Sequence, residues 1–458
     1  MRDVIARTTD RSEELQERWI KQTASGIPIP SSEEQAAIVA RDSASILRQA
    51  STNPPWASIQ FGAGPFLETS AGDVLLDLHG NNCHHIGYSH PRLLEELSDQ
   101  MRSLSFVPRG VTNPILVTAA EKLQAAWPYG PSVVSFVPGG SAAVEVAIMV
   151  SRAHTGRYKT ASFYGAYHGR SAGALSLGGR TQDRSPRLGP LLPGALHIRP
   201  FYPLPHEGAV DIESCAHRSL EDLTLCFEQE QEIAALFVEP IRNSPFVPPV
   251  WYWPEVKKLC SQYGTLFVCD EIPTGLGKTG KLFVTEHFNV HPDITLVGKA
   301  LGGAVIPVAA MIASAELNST SELNLGYFTY ERSPMMGRAA SVVLDIITTE
   351  KLVCRAAHLG KLAFGKMHEV TKSGLPIEEI RGAGLMLGVR ARGDSKEKPE
   401  TTARRIFAEC LRRGLLLQYP IGARLMLSFP LRIDEALIEN AIDIFATSVQ
   451  AAVKASRS

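Results

Sequence analysis

The stretch TLFVCDEIPTGLGKTGKLF, residues 265–283, decides the fold class. It begins with a short apolar run that ends in acidic residues, and it continues into a glycine-rich turn. The same rhythm of strand and then helix or turn repeats from about residue 130 to 315, in VVSFVP, TASFY and IAALFVEP. That alternation predicts an α/β fold with a mainly parallel sheet flanked by helices. Ligands bind such sheets at the carboxyl ends of the strands, where Glu239 and Asp270 stand.

The pattern changes on both sides of this region. Residues 1 to about 55 predict a helical arm, which Pro54 and Pro55 interrupt. From about residue 331 onward, helices are joined by two strand-like pieces, IRGAGLMLGVRA and RLMLSFPL, which predict a smaller α+β domain. We therefore expect three divisions: an arm with part of the small domain (1–75), a large ligand-binding domain (76–330) and a C-terminal small domain (331–458).

Composition narrows the class of protein. Of the 458 residues, 44% are hydrophobic and 20% are charged, which is ordinary for a globular enzyme. A net charge of -1 argues against nucleic acid or an anionic membrane as a partner. The polar start of the chain lacks the apolar stretch of a secretory signal, so we expect a cytoplasmic protein. The seven cysteines are scattered without a CxxC, which argues against a disulfide framework and a structural metal site.

A lysine and a carboxylate carry the main chemical hypothesis. Asp270 ends an apolar strand, and Lys299 follows one further predicted strand, in VGKALGG. Catalysis on amines by pyridoxal phosphate requires a lysine that holds the cofactor and a carboxylate that pairs with its pyridinium nitrogen. Taken alone, Lys299 also fits a solvated surface lysine and Asp270 a helix N-cap.

Two further segments fit a cofactor phosphate and ring. In PGGSAAVEVAIMVSRA (138–153), two glycines turn the chain and Ser141 opens an apolar helix, whose first N–H groups can bind phosphate. In FYGAYHGRSAGALSLGG (163–179), Tyr167 lies in a glycine-rich turn, where its ring can stack on a flat cofactor. A plain helix N-cap and a packed turn aromatic remain the simpler alternatives.

These segments, in this order and spacing, resemble the class III aminotransferases, which are pyridoxal-phosphate enzymes of fold type I. The similarity extends from about residue 60 to 435, and the run DEI…TG…GKTG with its downstream Gly-Lys-Ala is its most distinctive part. By this resemblance Lys299 holds the cofactor and moves the proton. Asp270 pairs with the pyridine nitrogen, Ile272 packs behind the ring and Tyr167 stacks on its front face.

The resemblance also implies the remaining cofactor contacts. Gly140 and Ser141 bind the phosphate through their backbone, and Glu239 is an active-site glutamate. Thr329, in GYFTYERSP, matches a threonine that reaches the phosphate of the neighbouring subunit. We therefore expect a homodimer or higher homo-oligomer with shared active sites. Arg381 matches a position near the small-domain core, where we favour a structural arginine.

The chain departs from the family at one informative position. Members that use 2-oxo acids often place an arginine before a C-terminal Ser-Pro-Pro-Leu-like stretch, to bind an α-carboxylate. Here the segment reads ARLMLSFPL, and Met426 occupies that place. Arg424 lies two residues earlier, so it shares a strand face with Met426 and remains a possible substitute.

Other departures resemble a branch of the family that removes ammonia from 1-hydroxy-2-aminoethylphosphonate. The similarity lies in HGNNCHHIGYSHP (79–91), the Pro-Arg pair in FVPRGVTN and the DEIP run. A phosphonate dianion requires arginine and backbone donors. We therefore expect Arg109, Arg242 and Arg332 to bind the phosphonate, although surface or structural ion pairs explain these arginines equally well. We expect His84 to contact the substrate hydroxyl, but a structural histidine is the favoured interpretation for at least one of His84 and His85.

Three functions follow from this reading. The first is ammonia elimination, which needs no carboxylate-binding arginine and so accommodates Met426. The second is transamination between an ω-amine and a 2-oxo acid. The third is a catalytically inactive family member that serves as a binding protein, against which the joint presence of Lys299, Asp270, Tyr167 and Thr329 argues.

Overall fold

The structure is a computed structural model, and it describes residues 2–24, 32–49, 55–204, 211–319, 322–393 and 398–457. The chain divides into two compact units. Unit 1 comprises Met1–Glu95, Lys278–Gly280 and Thr349–Ser458, and unit 2 comprises Glu96–Gly277 and Lys281–Thr348. The domain boundaries expected from the sequence stay a prediction, and Pro54 lies outside the described residues.

The regular elements of the described residues are as follows. The α-helices are α1 (Arg2–Ala24), α2 (Glu33–Ser45), α3 (Pro91–Ser103), α4 (Pro114–Ala126), α5 (Gly140–Thr155), α6 (Ala172–Leu177), α7 (Ile212–Gln229), α8 (Tyr252–Gln262), α9 (Pro334–Thr349), α10 (Leu352–Lys372), α11 (Pro399–Arg412) and α12 (Glu435–Arg457). The strands are β1 (Ile59–Ala63), β2 (Phe66–Thr69), β3 (Val74–Asp77), β4 (Ser132–Val137), β5 (Lys159–Phe163), β6 (Ala195–Ile198), β7 (Ile233–Val238), β8 (Leu266–Asp270), β9 (Ile294–Val297), β10 (Ala309–Ser314), β11 (Ile377–Ala383), β12 (Met386–Ala391), β13 (Leu415–Leu416), β14 (Gln418–Ile421) and β15 (Arg424–Ser428).

Unit 2 is built on a seven-stranded sheet with the order β4-β10-β9-β8-β7-β5-β6. The strands β9, β8, β7, β5 and β6 pair in parallel, while β10 is antiparallel to both β9 and β4. Six strands therefore run in one direction, and their carboxyl ends share one edge. The mainly parallel α/β sheet predicted from the sequence is confirmed.

Apolar runs explain why these segments form buried strands. All six residues of β7, IAALFV, are buried, as expected for a parallel strand that is covered on both faces. Helix α5 packs on the sheet through Ala143, Ala147 and Val150, which are spaced along one helix face. The helix ends at Thr155, and Gly156 caps it with a φ of 68°, a left-handed conformation that favours glycine.

Unit 1 contains two smaller sheets, with the orders β1-β2-β3-β13 and β11-β12-β15-β14. The second sheet is antiparallel throughout and lies with α10, α11 and α12 in the same unit, as the predicted α+β domain requires. Helix α1 is fixed to this unit by Trp19, which is buried and donates from Nε1 to the Gly414 carbonyl at 2.9 Å.

Helix α12 is the one described helix whose length and hydropathy would suit a membrane span, over Glu435–Lys454. Its residues Ile438, Ile442, Phe445 and Val449 are buried within the chain. The spacing of these residues places them on one face, as in a core helix of a globular unit. The long apolar stretch is therefore explained by packing.

The cysteines contribute no cross-links, since all seven are free thiols. Among the described residues, no cluster of three or more His, Cys, Asp or Glu side chains could hold a metal ion.

Candidate active site

Five of the polar residues singled out from the sequence lie at or just beyond the carboxyl edge of the large sheet. Asp270 is the last residue of β8, Glu239 follows β7 directly and Lys299 comes two residues after β9. Tyr167 follows β5, and Ser141 follows β4. The parallel topology thus brings residues that are far apart in the chain to a single edge of unit 2.

Asp270 is held by two donors in a buried environment. The side chain is 2% exposed, and its Oδ1 accepts a hydrogen bond from the backbone N–H of Ile272 at 3.1 Å. Its Oδ2 lies 2.8 Å from Nδ1 of His168, which is also buried. Since a carboxylate oxygen accepts, Nδ1 of His168 carries the hydrogen. His168 was not identified from the sequence; its place beside Tyr167 in YHG was the available signal.

The Nε2 atom of His168 is buried and has no hydrogen-bond partner among the described residues. The ring packs edge-on against Phe237, with 6.2 Å between centroids. His168 therefore directs its single strong hydrogen bond to Asp270. This arrangement fixes the position of the carboxylate.

Ile272 joins three elements of the site. A methyl group added at Gly140, the first residue of α5, would lie 2.9 Å from its Cδ1 atom. A methyl group at Gly298, which precedes Lys299, would lie 3.4 Å from its Cγ2 atom and 3.0 Å from Ala309 Cβ. Glycine at both places lets the helix start and the lysine segment approach the same apolar side chain.

Lys299 adopts an unusual backbone conformation. Its φ is 46°, in the left-handed region, and it begins a short 3-10 helix, Lys299–Gly302, which Gly303 caps. A non-glycine residue in this region costs about 1 to 2 kcal/mol, and such strain is typical of functional sites. The residue is half-buried, so Lys299 is not a fully solvated surface lysine.

The start of α5 is open to an anion. The first N–H groups of a helix have no intrahelical acceptors. Gly139, which precedes α5, has no side chain with which to cap them. The helix spans 16 residues, and its dipole places partial positive charge at Gly140 and Ser141. The Oγ atom of Ser141 accepts from the backbone N–H of Arg170 at 3.0 Å. This geometry suits a phosphate.

Glu239 and Arg242 form a buried ion pair, with Oε1 of the glutamate 2.8 Å from Nη1 of the arginine. Glu239 Oε2 also accepts from the backbone N–H of Tyr167 at 3.1 Å, and Arg242 Nη2 donates to the Gly165 carbonyl at 2.7 Å. Burial acts to lower the pKa of the Arg242 guanidinium, but Glu239 and Tyr202 together outweigh it and raise this pKa. The pair therefore supports the turn that carries Tyr167, which favours the structural reading of Arg242.

Two other predicted arginines lie at the surface of unit 2. Arg109 is exposed, donates from Nη1 to the Tyr327 carbonyl at 2.6 Å and stacks 3.4 Å from the centroid of that ring. Arg332 is exposed, and its own carbonyl accepts from Asn113 at 2.9 Å. Thr329 is exposed on the same segment.

The remaining predicted residues belong to unit 1. His84 is fully buried, with Nε2 3.1 Å from the Asp77 carbonyl, and burial lowers the pKa of its imidazole to about 4. These contacts favour a structural histidine. Arg381 forms an ion pair with Glu379, which favours the structural interpretation of this arginine. Met426 is 5% exposed on β15 and lies opposite Gly388 of β12.

Arg424 shares a strand face with Met426, as expected from their spacing, and lies opposite Arg390.

The residues of unit 2 fit pyridoxal phosphate. The open helix start provides donors for a phosphate, Ile272 provides an apolar wall for a flat ring, and Asp270 provides a buried carboxylate for a pyridinium nitrogen. Lys299, the residue after Gly298, provides the amine for a Schiff base. The fold and the donor set are those of a pyridoxal-phosphate-dependent enzyme of fold type I.

The chain belongs to the class III aminotransferase family, whose pattern, Aminotransferase class-III, it matches over residues 47–449. It is 30% identical to the (R)-1-hydroxy-2-aminoethylphosphonate ammonia-lyase of Vibrio splendidus over 430 residues, and this similarity covers 90% of each chain. It is 32% identical over 406 residues to the alanine/serine racemase of Pyrococcus horikoshii, covering 85% of each. The cofactor is pyridoxal 5'-phosphate, as in the rest of the family.

A solved structure supports the same assignment. The omega transaminase from Pseudomonas jessenii in complex with PMP superimposes with a TM-score of 0.84 and 25% identity, covering 91% of this chain and 98% of that one. The class III membership, the fold type and the enzymatic nature expected from the sequence are thereby confirmed.

Proposed function

We propose that this enzyme eliminates ammonia from 1-hydroxy-2-aminoethylphosphonate to give phosphonoacetaldehyde, a step of phosphonate catabolism. The observation that carries the proposal is the similarity to the Vibrio splendidus ammonia-lyase over 90% of both chains. The buried Met426 supports it, because by resemblance it occupies the position where members that use 2-oxo acids often have a carboxylate-binding arginine. Elimination needs no second substrate and therefore no such arginine.

The proposed roles of the chain's residues follow from the site. When bound, pyridoxal phosphate supplies an electron sink for the carbon that bears the amine. Lys299 holds the cofactor and then takes the proton from that carbon. Asp270, positioned by His168, keeps the pyridine nitrogen protonated. The hydroxyl leaves the neighbouring carbon as water, and hydrolysis then releases aldehyde and ammonia, so the net change is loss of ammonia.

The cofactor contacts are assigned to the edge of the large sheet. The backbone of Gly140 and Ser141 binds the phosphate, Ile272 packs behind the ring and Tyr167 stacks on its front face. Glu239 supports this site by accepting the backbone N–H of Tyr167.

Thr329 is proposed to contact the phosphate in a neighbouring subunit of a homodimer or higher homo-oligomer. The exposed side chains of Tyr327 and Tyr330, at 58% and 57%, flank Thr329 and support contact with a second copy. We expect this assembly in the cytoplasm.

The structure changes the order in which we rank the predicted arginines as ligands of the phosphonate. Arg332 and Arg109 are exposed residues without a carboxylate partner among the described residues, whereas the buried Arg242 is paired with Glu239. We therefore place Arg332 and Arg109 first and Arg242 last. The buried His84, expected at the substrate hydroxyl, is also ranked last.

A transaminase acting on an ω-amino acid or amine is the second candidate. The observation that favours it is the structural similarity to the omega transaminase from Pseudomonas jessenii. This reading requires a carboxylate-binding group other than Met426, and Arg424 on the same strand face is the first candidate.

Product analysis separates these functions. Purified holoenzyme is incubated with racemic 1-hydroxy-2-aminoethylphosphonate without any 2-oxo acid, and ammonia and aldehyde are assayed together. Sustained, equal release of both supports the lyase, provided that Lys299→Ala abolishes it and the exposed matched control Lys281→Ala does not.

Three other results of this experiment would each indicate a different function. No turnover until pyruvate or 2-oxoglutarate is added with a small amine would establish the transaminase. Exchange of the α-hydrogen of alanine or serine, without either product, would indicate the activity named for the Pyrococcus relative. A colourless protein that borohydride does not modify would indicate the inactive member.

A further inference from the structure

A buried carboxylate outside the predicted site holds two arginines beside it. Asp183 is fully buried. Its Oδ2 atom accepts from Nε of Arg180 at 2.6 Å, and its Oδ1 accepts from Nη2 of Arg180 at 3.0 Å. Arg170 donates from Nη1 to the same Oδ1 at 2.7 Å. The bidentate contact fixes the plane of the Arg180 guanidinium.

The fixed guanidinium lies on the ring of Tyr167. The Cζ atom of Arg180 is 4.1 Å from the ring centroid, which is cation–π distance. A tyrosine ring has two faces, so only the other face is left for a cofactor. The Arg180 side chain is 23% exposed, and its partial burial strengthens the contact relative to one in water.

The turn around Tyr167 has little intrinsic rigidity. Gly165 and Gly169 flank it with φ values of 80° and 137°, which are conformations that favour glycine. The backbone of Tyr167 is held by Glu239, but this contact does not fix the ring. The ring orientation therefore depends on what packs against its faces.

Asp183 is also linked, through Arg170, to the first turn of α5, which we assign to the phosphate. Arg170, its second arginine, donates its backbone N–H to Oγ of Ser141 at 3.0 Å. One buried carboxylate thus connects the stacking ring with the first turn of α5.

We propose that Arg180, held by Asp183, is a positioning residue. It packs on the face of the Tyr167 ring that is turned away from the cofactor, and it thereby sets the orientation in which this ring meets the cofactor. The inference rests on the proposed stacking role of Tyr167 and extends it to residues that do not touch the cofactor. Arg180 acts through Tyr167, and Asp183 acts through Arg180.

The test compares Arg180→Met with Arg187→Met, an exposed arginine on the same segment, in the holoenzyme. The measurements are the dissociation constant of pyridoxal phosphate and the circular dichroism of the bound cofactor. We expect about 3- to 10-fold weaker cofactor binding and a reduced dichroism band in Arg180→Met, from loss of one partly buried cation–π contact. Arg180→Lys should recover part of both signals, because it keeps the charge.

A double-mutant cycle distinguishes positioning from general stability. In a Tyr167→Leu background, Arg180→Met should have no further effect on cofactor binding. Equal effects in both backgrounds, or values for Arg180→Met that match those of Arg187→Met, would overturn the proposal.

If Arg180→Met fails to fold, Arg180→Lys and Asp183→Asn are compared with Arg187→Met in its place. The readout is cofactor binding and not turnover, so a failure of the proposed lyase activity leaves the result interpretable.

Discussion

Nδ1 of His168 lies 2.8 Å from Oδ2 of Asp270, and both side chains are buried. The histidine donates to the carboxylate that we assign to the pyridine nitrogen, and its other nitrogen has no hydrogen-bond partner among the described residues. The orientation of Asp270 thus depends on a residue 102 positions earlier in the chain.

Replacing His168 should impair catalysis more than folding. His168→Leu removes a hydrogen bond to a charged group, and we expect turnover to fall about 10- to 100-fold. His168→Asn keeps a donor near Nδ1 and should retain more activity than the leucine variant. Steady-state kinetics measures both. A leucine variant with the wild-type rate would show that the contact has no catalytic role.

A methyl group at Gly140 should disturb the cofactor site. Gly140→Ala places Cβ 2.9 Å from Ile272 Cδ1, so the helix start or the apolar wall must shift. We expect at least about tenfold weaker pyridoxal phosphate binding, because a shift of this size disturbs phosphate and ring contacts together. Equilibrium dialysis measures the affinity.

The matched control is Gly365→Ala in α10, where an added Cβ meets nothing within 4 Å. It should leave cofactor binding unchanged and stabilise the fold by about 1 kcal/mol, since alanine is the better helix former. Equal cofactor affinities for the two variants would contradict the role of the Gly140 contact.

Substitution of the three predicted substrate arginines should have different effects, on the free energy of unfolding for one and on KM for the other two. Arg242→Met leaves Glu239 as a buried charge without its ion-pair partner and should lower the free energy of unfolding by about 3 kcal/mol. Arg332→Met and Arg109→Met remove exposed groups, so their effect should be a raised KM for the phosphonate at nearly unchanged stability.

Urea denaturation and steady-state kinetics make this comparison. If neither exposed variant changes KM, the phosphonate is bound elsewhere. If Arg242→Met is as stable as the wild type, the ion pair does not support the Tyr167 turn.

Stability should fall in acid partly because of His84. The unfolded chain protonates this histidine below about pH 6.5, whereas burial holds its pKa at about 4 in the folded protein. The unfolded state therefore binds more protons between these values, and stability declines as the pH falls from 6.5 to 4. A shift of this size corresponds to up to about 3 kcal/mol.

His84→Gln should flatten this decline, measured by urea denaturation at pH 7 and pH 4.5. His358→Gln, on the exposed face of α10, is the control and should keep the wild-type slope. A slope that is unchanged in His84→Gln would mean that the ring is already protonated in the folded state.

The sequence by itself determined the parallel sheet, the family and the candidate residues at the strand ends. Local features suffice for these, since apolar runs such as IAALFV specify buried strands and the run from Asp270 to Lys299 is distinctive. The placement of Lys299 and Asp270 at one edge then follows from parallel topology.

Only the tertiary structure decided which side chains meet. The sequence showed Arg242 and His84 as candidate ligands, but packing engages Arg242 with Glu239 and buries His84 beside Asp77. The pairing of His168 with Asp270 and the stacking of Arg180 on Tyr167 also could not be predicted. Such contacts depend on the direction of each side chain and on elements that are distant in sequence, and local residue patterns do not encode them.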